Sequence, residues 1–167
     1  PIFDLDKPIG STADMRTWYT TRLCQPTEYS QISHVVADGS WEAYAANVLE
    51  KFGREKIITS YAKNDHLGFN IYYMWNGSKR KYVPDFLIRL ANGKSLVLEI
   101  KGQDSDQNKA KRIALDMWVK AVNQKGGFGT WCWDVVKEEP SRMHDVILEH
   151  AKSATYSKPI GELFLDL

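Results

Sequence analysis

Two apolar runs joined by a short polar turn constrain this fold more than any other feature of the sequence. "DFLIRL" and "SLVLEIKG" lie on either side of Asn92-Gly93 and are typical of two strands and a turn. Strands that are apolar on both sides fit a sheet buried between layers of helices. Three charges interrupt these runs, Asp85, Glu99 and Lys101. Carboxylates and lysines are rarely buried without a partner, so these three indicate either a functional site or a structural ion pair.

The spacing of apolar residues predicts the order helix, three or four meandering strands, helix, strand, helix. A helix in "SWEAYAANVLEKFG" precedes the segments "KIITSYAK", "FNIYYMW", "KRKYVPDFLIRL" and "SLVLEIKG". The second and third of these flank Asn76-Gly77, a strong hairpin signal. A helix over 106–124 leads to the strand "TWCWDVVK", and "SRMHDVILEHAKS" forms the last helix. Because such crossovers are right-handed, "LVLEI" and "TWCWDVV" should be parallel. We therefore expect an α/β fold, a mixed sheet with an α-β-β-β-α-β core and helices on both faces.

Local signals set the ends of two helices. Ser40 is the expected N-cap of the first helix, with Asp38 as the alternative, and Gly53 should end it. The second helix has several cap candidates at its start and should stop at Gly126. Its apolar stripe is predicted to contain Ala110, Ile113, Ala114, Met117, Trp118, Ala121 and Val122.

The whole chain, 1–167, suits one domain with a real core. We divide it into an irregular arm over 1–38, a core over 39–137 that carries the three charges, and a C-terminal helix and tail over 138–167. The arm is expected to pack on the core through Trp18, Tyr19 and Tyr29 and to form a short strand in "SHVVAD". The net charge of +1 gives no global attraction for a polyanion, so any basic patch must be local.

Location and context follow from what the sequence contains. No apolar run reaches transmembrane length, so no membrane association is expected. The two cysteines form neither a zinc pattern nor a disulfide framework, which favours a reduced, cytoplasmic setting. The chain begins at Pro1, and we expect it to derive from a longer polypeptide.

The length of the turn after "DFLIRL" decides whether the three charges meet. A two-residue loop would mix polar and apolar side chains on both faces of the sheet. A three-residue loop pairs Leu90 with Lys94, sets Asp85 against Glu99, and leaves one face wholly apolar. Since a slip of one residue flips a whole face, the pattern favours the three-residue loop, closed by a left-handed glycine. A bulge near Pro84 would restore the same pairing from another loop.

Two paired carboxylates about 5 Å apart repel each other, and at least one resists ionising. A divalent cation relieves that repulsion: Mg²⁺ takes one or two carboxylates with several waters, and Mn²⁺ is expected to substitute. Lys101 on the same face can contact a phosphate or a metal-bound water, which suits hydrolysis of a phosphodiester. In the structural alternative, Glu99 pairs with Lys101 or Arg89 and nothing is catalysed.

Pro84-Asp85 followed by Glu99-Ile100-Lys101 resembles the PD-(D/E)XK signature of the restriction-endonuclease-like nucleases, whose core order is also α-β-β-β-α-β. Over residues 35–137 the segments "HVVADGSWEAYAANVLE", "YVPDFLIRL", "LEIKGQD", "KAKRIALDMWVKAVN" and "GGFGTWCWDVVK" are similar to the C-terminal endonuclease domain of type III restriction enzymes. The resemblance implies cleavage of double-stranded DNA, a helicase motor in the same polypeptide, a methyltransferase/recognition subunit as partner, and a prokaryotic cytoplasm.

The same resemblance implies roles for individual residues. Asp85 and Glu99 would ligate Mg²⁺ together with the backbone carbonyl of Ile100. Lys101 would orient the attacking water or stabilise the pentavalent phosphate. The alternatives are a catalytically silent nuclease-like module that binds nucleic acid or a partner protein, and a nuclease acting on RNA or repair intermediates.

Two helices could add residues to this site. Relatives place a glutamate on the first helix near the metal, and Glu42 is the candidate here, with Glu50 less suited. The alternative role for Glu42 is a favourable contact with the helix dipole. On the second helix, Gln107 and Lys111 could contact the scissile phosphate or the DNA backbone; the alternative is a solvated helix edge.

Other polar and aromatic residues receive simpler interpretations. "SKRK", with Lys79 and Arg80, and "KAKR" are the dense basic runs, suited to DNA phosphates, with edge protection and a solvated helix face as alternatives. His144 and His150 are expected on the surface. Four tryptophans are expected in the core: Trp41, Trp118, Trp131 and Trp133.

Overall fold

The computed structural model describes residues 12–101, 105–137 and 139–152. These ranges contain eight strands, three helices and short 3-10 turns at Thr12–Asp14 and Pro140–Arg142. The elements are β1 (Cys24–Pro26), β2 (His34–Val36), α1 (Ser40–Arg54), β3 (Ile58–Lys63), β4 (Ile71–Trp75), β5 (Ser78–Tyr82), β6 (Phe86–Leu90), β7 (Lys94–Lys101), α2 (Asp106–Lys125), β8 (Thr130–Lys137) and α3 (Met143–Lys152). The predicted α/β class is confirmed, and none of the described helices is long and apolar enough to cross a membrane.

A four-stranded mixed sheet organises the molecule, in the order β3-β6-β7-β8. Its first three strands run antiparallel, and β7 and β8 are parallel, as the helical crossover between them predicted. One face packs against α1 and α3, and the other against α2 and the β4–β5 hairpin. Helices therefore cover both faces, as expected.

The hairpin of β4 and β5 departs from the predicted meander. These two strands pair only with each other and not with the four-stranded sheet. The segment predicted as one strand, "KRKYVPDFLIRL", is divided into β5 and β6 on either side of residues 83–85. Pro84 in this break has no N–H to donate to a ladder, which explains why pairing stops there. Without the inserted hairpin, the core order is α1, β3, β6, β7, α2, β8.

The β6–β7 turn has the predicted register. Ile88 pairs with Leu96, and the ladder runs from the pair Phe86–Leu98 to the pair Arg89–Ser95. The Gly93 amide donates to the Leu90 carbonyl at 3.0 Å, and Gly93 has a φ of 86°. The turn therefore has three residues and ends in the left-handed conformation that favours glycine. Five apolar residues are buried on the α1-facing side of these two strands: Phe86, Ile88, Leu90, Leu96 and Leu98. The side is not wholly apolar as predicted, because Lys94, two residues before Leu96, is also buried on it.

The ends of α1 were predicted wrongly. Its N-cap is Gly39, without a side-chain cap, and neither Ser40 nor Asp38 serves. Gly53 lies inside the helix, where a Cβ would come within 2.1 Å of the Tyr29 ring. Gly53 is thus required by close packing of the arm and does not terminate the helix. In α2, by contrast, the Ser105 side chain caps the first turn and Gly126 follows the last, as expected.

The apolar stripe of α2 was predicted correctly only in part. Trp118 and Val122 are buried and Ala110 and Ala114 pack against the same cluster, as expected. Ile113 and Met117 are 42% and 66% exposed, while Leu115 and Val119 are buried. The buried positions 115, 118, 119 and 122 also have i, i+3, i+4, i+7 spacing, so both stripes satisfy the helical period. The hairpin decides between them, because α2 packs against β4 as well as β8.

Several packing expectations for single residues also need correction. The arm packs on the core through Tyr29, but Tyr19 is 96% exposed. His150 is buried, and its Nε2 atom lies 2.8 Å from Asp134 Oδ2. His144 is half-buried, with its ring against Phe52. The arm before residue 12 and the apolar tail lie outside the described residues.

Candidate active site

Asp85, Glu99 and Lys101 lie together where β6 begins and β7 ends. Glu99 is 5% exposed, and its Oε1 atom lies 2.9 Å from Lys101 Nζ. Asp85 precedes β6, and its Oδ2 atom accepts a hydrogen bond from the Ile100 amide at 2.8 Å. The three charges that interrupt the apolar runs therefore form one cluster, the carboxylate site.

Asp85 reaches this cluster from outside the strand ladder. Its backbone carbonyl accepts from the Asn64 amide at 2.8 Å, which extends the β3–β6 pairing by one step. On the β7 side, the Asp85 carboxylate and not its backbone carbonyl accepts the hydrogen bond from the Ile100 backbone N–H. Ile100 itself pairs with Val136 of β8. The role expected for the Ile100 carbonyl in metal binding stays a prediction.

The two carboxylates raise each other's electrostatic cost. Burial raises the pKa of Asp85 from its ordinary 3.8 to about 7, and the charge of Glu99 adds to the rise. The Ile100 hydrogen bond and the charge of Lys101 only partly oppose it, and Glu42 contributes in the same direction as Glu99. The site thus holds more negative charge than its lysine compensates, the situation that a divalent cation relieves.

The inserted hairpin supplies a further group to the site. Tyr82, at the end of β5, is buried and donates its hydroxyl to Glu99 Oε2 at 2.6 Å. Burial, followed by the charge of Glu99, raises the pKa of Tyr82 above its usual range. Sequence reasoning missed this residue. The available signal was an aromatic residue three positions before Asp85 that ends the otherwise exposed segment "SKRKY".

The start of α2 positions Lys101. Its Nζ atom donates to Asn108 Oδ1 at 2.8 Å. The backbone N–H of Asn108 in turn donates to the Ser105 hydroxyl oxygen that caps the helix. Asn108 was not predicted as part of the site. Gln107 was, but its Nε2 atom donates to Tyr73 OH at 2.7 Å, so it joins α2 to the hairpin.

Lys111 lies close to the carboxylate site. Its Nζ atom is 5.6 Å from the centre of the Tyr82 ring, whose hydroxyl binds Glu99. Arg112 also lies near Tyr82, since its charge lowers the pKa of that hydroxyl against the larger opposing effects. A positive edge of α2 therefore borders the site.

Glu42 occupies the border between α1 and the site. Its Oε2 atom accepts from the Asp38 amide at 2.6 Å and lies 3.0 Å from Lys63 Nζ. The buried Lys63 also donates to the Val36 carbonyl at 2.8 Å. Glu42 therefore accepts a hydrogen bond from a backbone N–H just before α1, and its charge also raises the pKa of Asp85. Lys63 was missed because an isolated lysine at a strand end carries no pattern.

Glu50, the other candidate on α1, has a structural environment. It accepts hydrogen bonds from the Glu28 and Tyr29 amides at 3.0 and 3.3 Å and from Tyr61 OH at 2.9 Å. Glu50 thus anchors the N-terminal arm to α1 and β3, which leaves Glu42 as the α1 glutamate beside the site.

The basic residues Lys79 and Arg80 lie on the exposed strand β5. Lys79 Nζ is 4.4 Å from the centre of the Tyr72 ring on the neighbouring strand. No contact within the described residues joins Lys79 or Arg80 to the carboxylates, and their role in DNA binding stays a prediction.

The donor set has the chemistry of a magnesium site. Asp85 and Glu99 offer carboxylate oxygens, the ligands preferred by Mg²⁺ and Mn²⁺, and a carboxylate can keep its hydrogen-bond donors while it ligates a cation. No group of three or more His, Cys, Asp or Glu side chains suited to a metal occurs within the described ranges. The pair therefore fits a cation that retains several waters and does not fit a closed structural zinc site.

Comparison with known proteins adds no relative. A scan against protein-family models matched no family, and searches of curated proteins and of solved structures found no match. The resemblance to PD-(D/E)XK nucleases stays a hypothesis that rests on the motif residues and the element order.

Proposed function

We propose that this chain is a Mg²⁺-dependent endonuclease domain that hydrolyses phosphodiester bonds of double-stranded DNA, with a restriction-endonuclease-like fold. The observation that carries the proposal is the convergence of Asp85, Glu99 and Lys101 on one end of two paired strands. A buried carboxylate, Glu99, next to a half-buried one, Asp85, with one ammonium group beside them, is costly to maintain for stability alone.

Each residue has a defined task in this reaction. Asp85 and Glu99 hold the cation, which supplies Lewis-acid stabilisation of charge on the phosphate when bound. Lys101, fixed by Glu99 and Asn108, donates a hydrogen bond that orients the attacking water and favours the negative charge that develops. Water adds to phosphorus and gives up a proton to solvent, the bond to the leaving oxygen breaks, and that oxygen takes a proton from solvent.

The proposal includes the DNA and the larger assembly. Lys111, beside Tyr82, and the exposed residues Lys79 and Arg80 would contact backbone phosphates without reading sequence. A helicase motor in the same polypeptide and a methyltransferase/recognition subunit would supply the target, in a prokaryotic cytoplasm. Cleavage by the chain alone can therefore be weak.

A direct test combines cation binding with cleavage. Calorimetric titration should show Mn²⁺ binding to the unmodified chain and its loss in Asp85→Asn. Nicking of supercoiled plasmid should disappear in Lys101→Met and persist in Lys51→Met, a matched change at a lysine whose side chain is 56% exposed. Absence of Mn²⁺ binding in the unmodified chain would falsify the metal-dependent mechanism.

A silent module is the second candidate, and one observation favours it. Every charged group of the carboxylate site has an internal partner: Lys101 has Glu99 and Asn108, Glu99 has Tyr82, and Asp85 has the Ile100 amide. Such a network could be purely structural. DNA binding without cleavage by a complete complex would favour this candidate, and comparison of plasmid, single-stranded DNA and RNA would reveal a nuclease for RNA or repair intermediates.

A further inference from the structure

Asn64 lies directly beside Asp85 at the end of β3. Its backbone amide donates to the Asp85 carbonyl at 2.8 Å. Its side chain is buried, with 7% of its surface exposed. Neither the motif nor the apolar pattern assigns this residue a role.

One oxygen of this side chain has no partner. Asn64 Nδ2 donates to the Phe69 carbonyl at 2.8 Å, which fixes the orientation of the amide group. Asn64 Oδ1 is a buried side-chain atom with no hydrogen-bond partner among the described residues. Buried polar atoms are nearly always paired, so an unpaired acceptor indicates a ligand that the described residues do not supply.

The strand register places the Asn64 side chain on the side of the sheet that carries the carboxylate site. Ala62 pairs with Leu87, whose side of the sheet also carries Val97 and, two residues on, Glu99. Because side chains alternate along a strand, Asn64 lies on the same side as Ala62, opposite Asp85. Lys63 points to the other face, where it meets Glu42.

We propose that Asn64 Oδ1 is a third oxygen ligand of the divalent cation held by Asp85 and Glu99. Amide carbonyl oxygens are suitable ligands for hard cations, and a neutral ligand adds no repulsion to the two carboxylates. This inference rests on the proposed function, because it requires the same cation. It explains why a polar atom is buried at this position without a partner in the described part of the chain.

Calorimetric titration of Mn²⁺ into four forms of the 167-residue chain tests the role: unmodified, Asn64→Leu, Asn64→Asp and Asp85→Asn. Asn64→Leu keeps the approximate shape and removes the oxygen, so Mn²⁺ affinity should fall about tenfold or more. Asn64→Asp also loses the bond to Phe69 but keeps an oxygen, so its affinity should equal or exceed that of the unmodified chain.

The outcomes separate this inference from the proposed function. A loss below tenfold in Asn64→Leu, or equal losses in Asn64→Leu and Asn64→Asp, would overturn the ligand role while the cation site stands. No binding by the unmodified chain would overturn both. If Asn64→Leu does not fold, Asn64→Ala replaces it: it also removes the oxygen, and its Mn²⁺ affinity should fall by the same factor. An unchanged affinity in Asn64→Ala would refute the assignment.

Discussion

Glu50 and Glu99 are both buried, and both accept a hydrogen bond from a buried tyrosine hydroxyl, yet their surroundings differ. Two backbone amides and Tyr61 OH satisfy Glu50, which fastens the arm. Glu99 has Tyr82 and Lys101 as donors but lies beside a second carboxylate, Asp85. Burial raises the pKa of Asp85, and the charge of Glu99 raises it further. Burial of a glutamate is therefore a poor sign of function. A second carboxylate that the fold places next to the buried glutamate is a better sign.

The largest expected difference between the two glutamates lies in Mn²⁺ affinity and DNA cleavage. Glu99→Gln should lower Mn²⁺ affinity and plasmid cleavage by roughly 10²-fold or more, because it removes one of the two charged ligands. Glu50→Gln should leave both unchanged, since Glu50 only anchors the arm. Calorimetry and a nicking assay measure the two effects. Equal losses in both variants would mean that the site depends on arm docking and not on Glu99 itself.

The reverse difference is expected in stability. Glu50→Ala leaves Tyr61 OH and two backbone amides without their acceptor, and each unmet buried donor is costly. We expect the free energy of unfolding to fall by roughly 2–3 kcal/mol, measured by urea denaturation without metal. Thr59→Ala, at an exposed position of the adjacent strand, is the control and should change it much less. An unchanged urea midpoint in Glu50→Ala would contradict the anchoring role.

The β6–β7 register shows what the sequence could predict about the site. Alternating apolar residues and a glycine turn are local patterns, and they sufficed to bring Asp85, Glu99 and Lys101 to one side. The parallel crossover between β7 and β8 followed from handedness alone. These features depend on residues that are close along the chain.

The predictions that were wrong or missing concern residues whose partners are distant in sequence. Ile113 and Met117 were wrongly assigned to the buried stripe of α2, and Leu115 and Val119 were missed, because the hairpin, and not the helical period, selects the face that is buried. Tyr82 and Asn108 were missed because a tyrosine on an exposed strand and an asparagine in a first helical turn are common. Their roles arise only when the hairpin and α2 converge on Glu99 and Lys101.

Asp85→Asn should stabilise the metal-free protein, in contrast to Glu50→Ala. The pKa of Asp85 is raised from 3.8 to about 7 in the folded state, chiefly by burial. Protonation therefore favours folding, and the wild-type free energy of unfolding should fall as pH rises through this range. Removing the charge should increase stability by about 1–2 kcal/mol at pH 8 and by little near pH 3.5.

Urea midpoints of both proteins, measured without metal from pH 3.5 to 8, test this sign. The midpoints should converge at low pH, where Asp85 is protonated in both folded and unfolded chains. A midpoint for Asp85→Asn below that of the wild type at pH 8 would show that the Ile100 hydrogen bond to a full carboxylate outweighs the repulsion from Glu99.

The smallest effects should come from the two tyrosine hydroxyls, and they complete the comparison. Tyr61→Phe and Tyr82→Phe each remove one hydrogen bond to a buried glutamate, which should cost about 1 kcal/mol of stability. Only Tyr82→Phe should also alter Mn²⁺ affinity, by a few-fold, because Tyr82 holds one of the Glu99 oxygens in place. Urea denaturation and calorimetry on the two variants separate these effects. If Tyr61→Phe changed the affinity as much as Tyr82→Phe, the two glutamates would not be independent, and the difference between anchor and site would be one of degree.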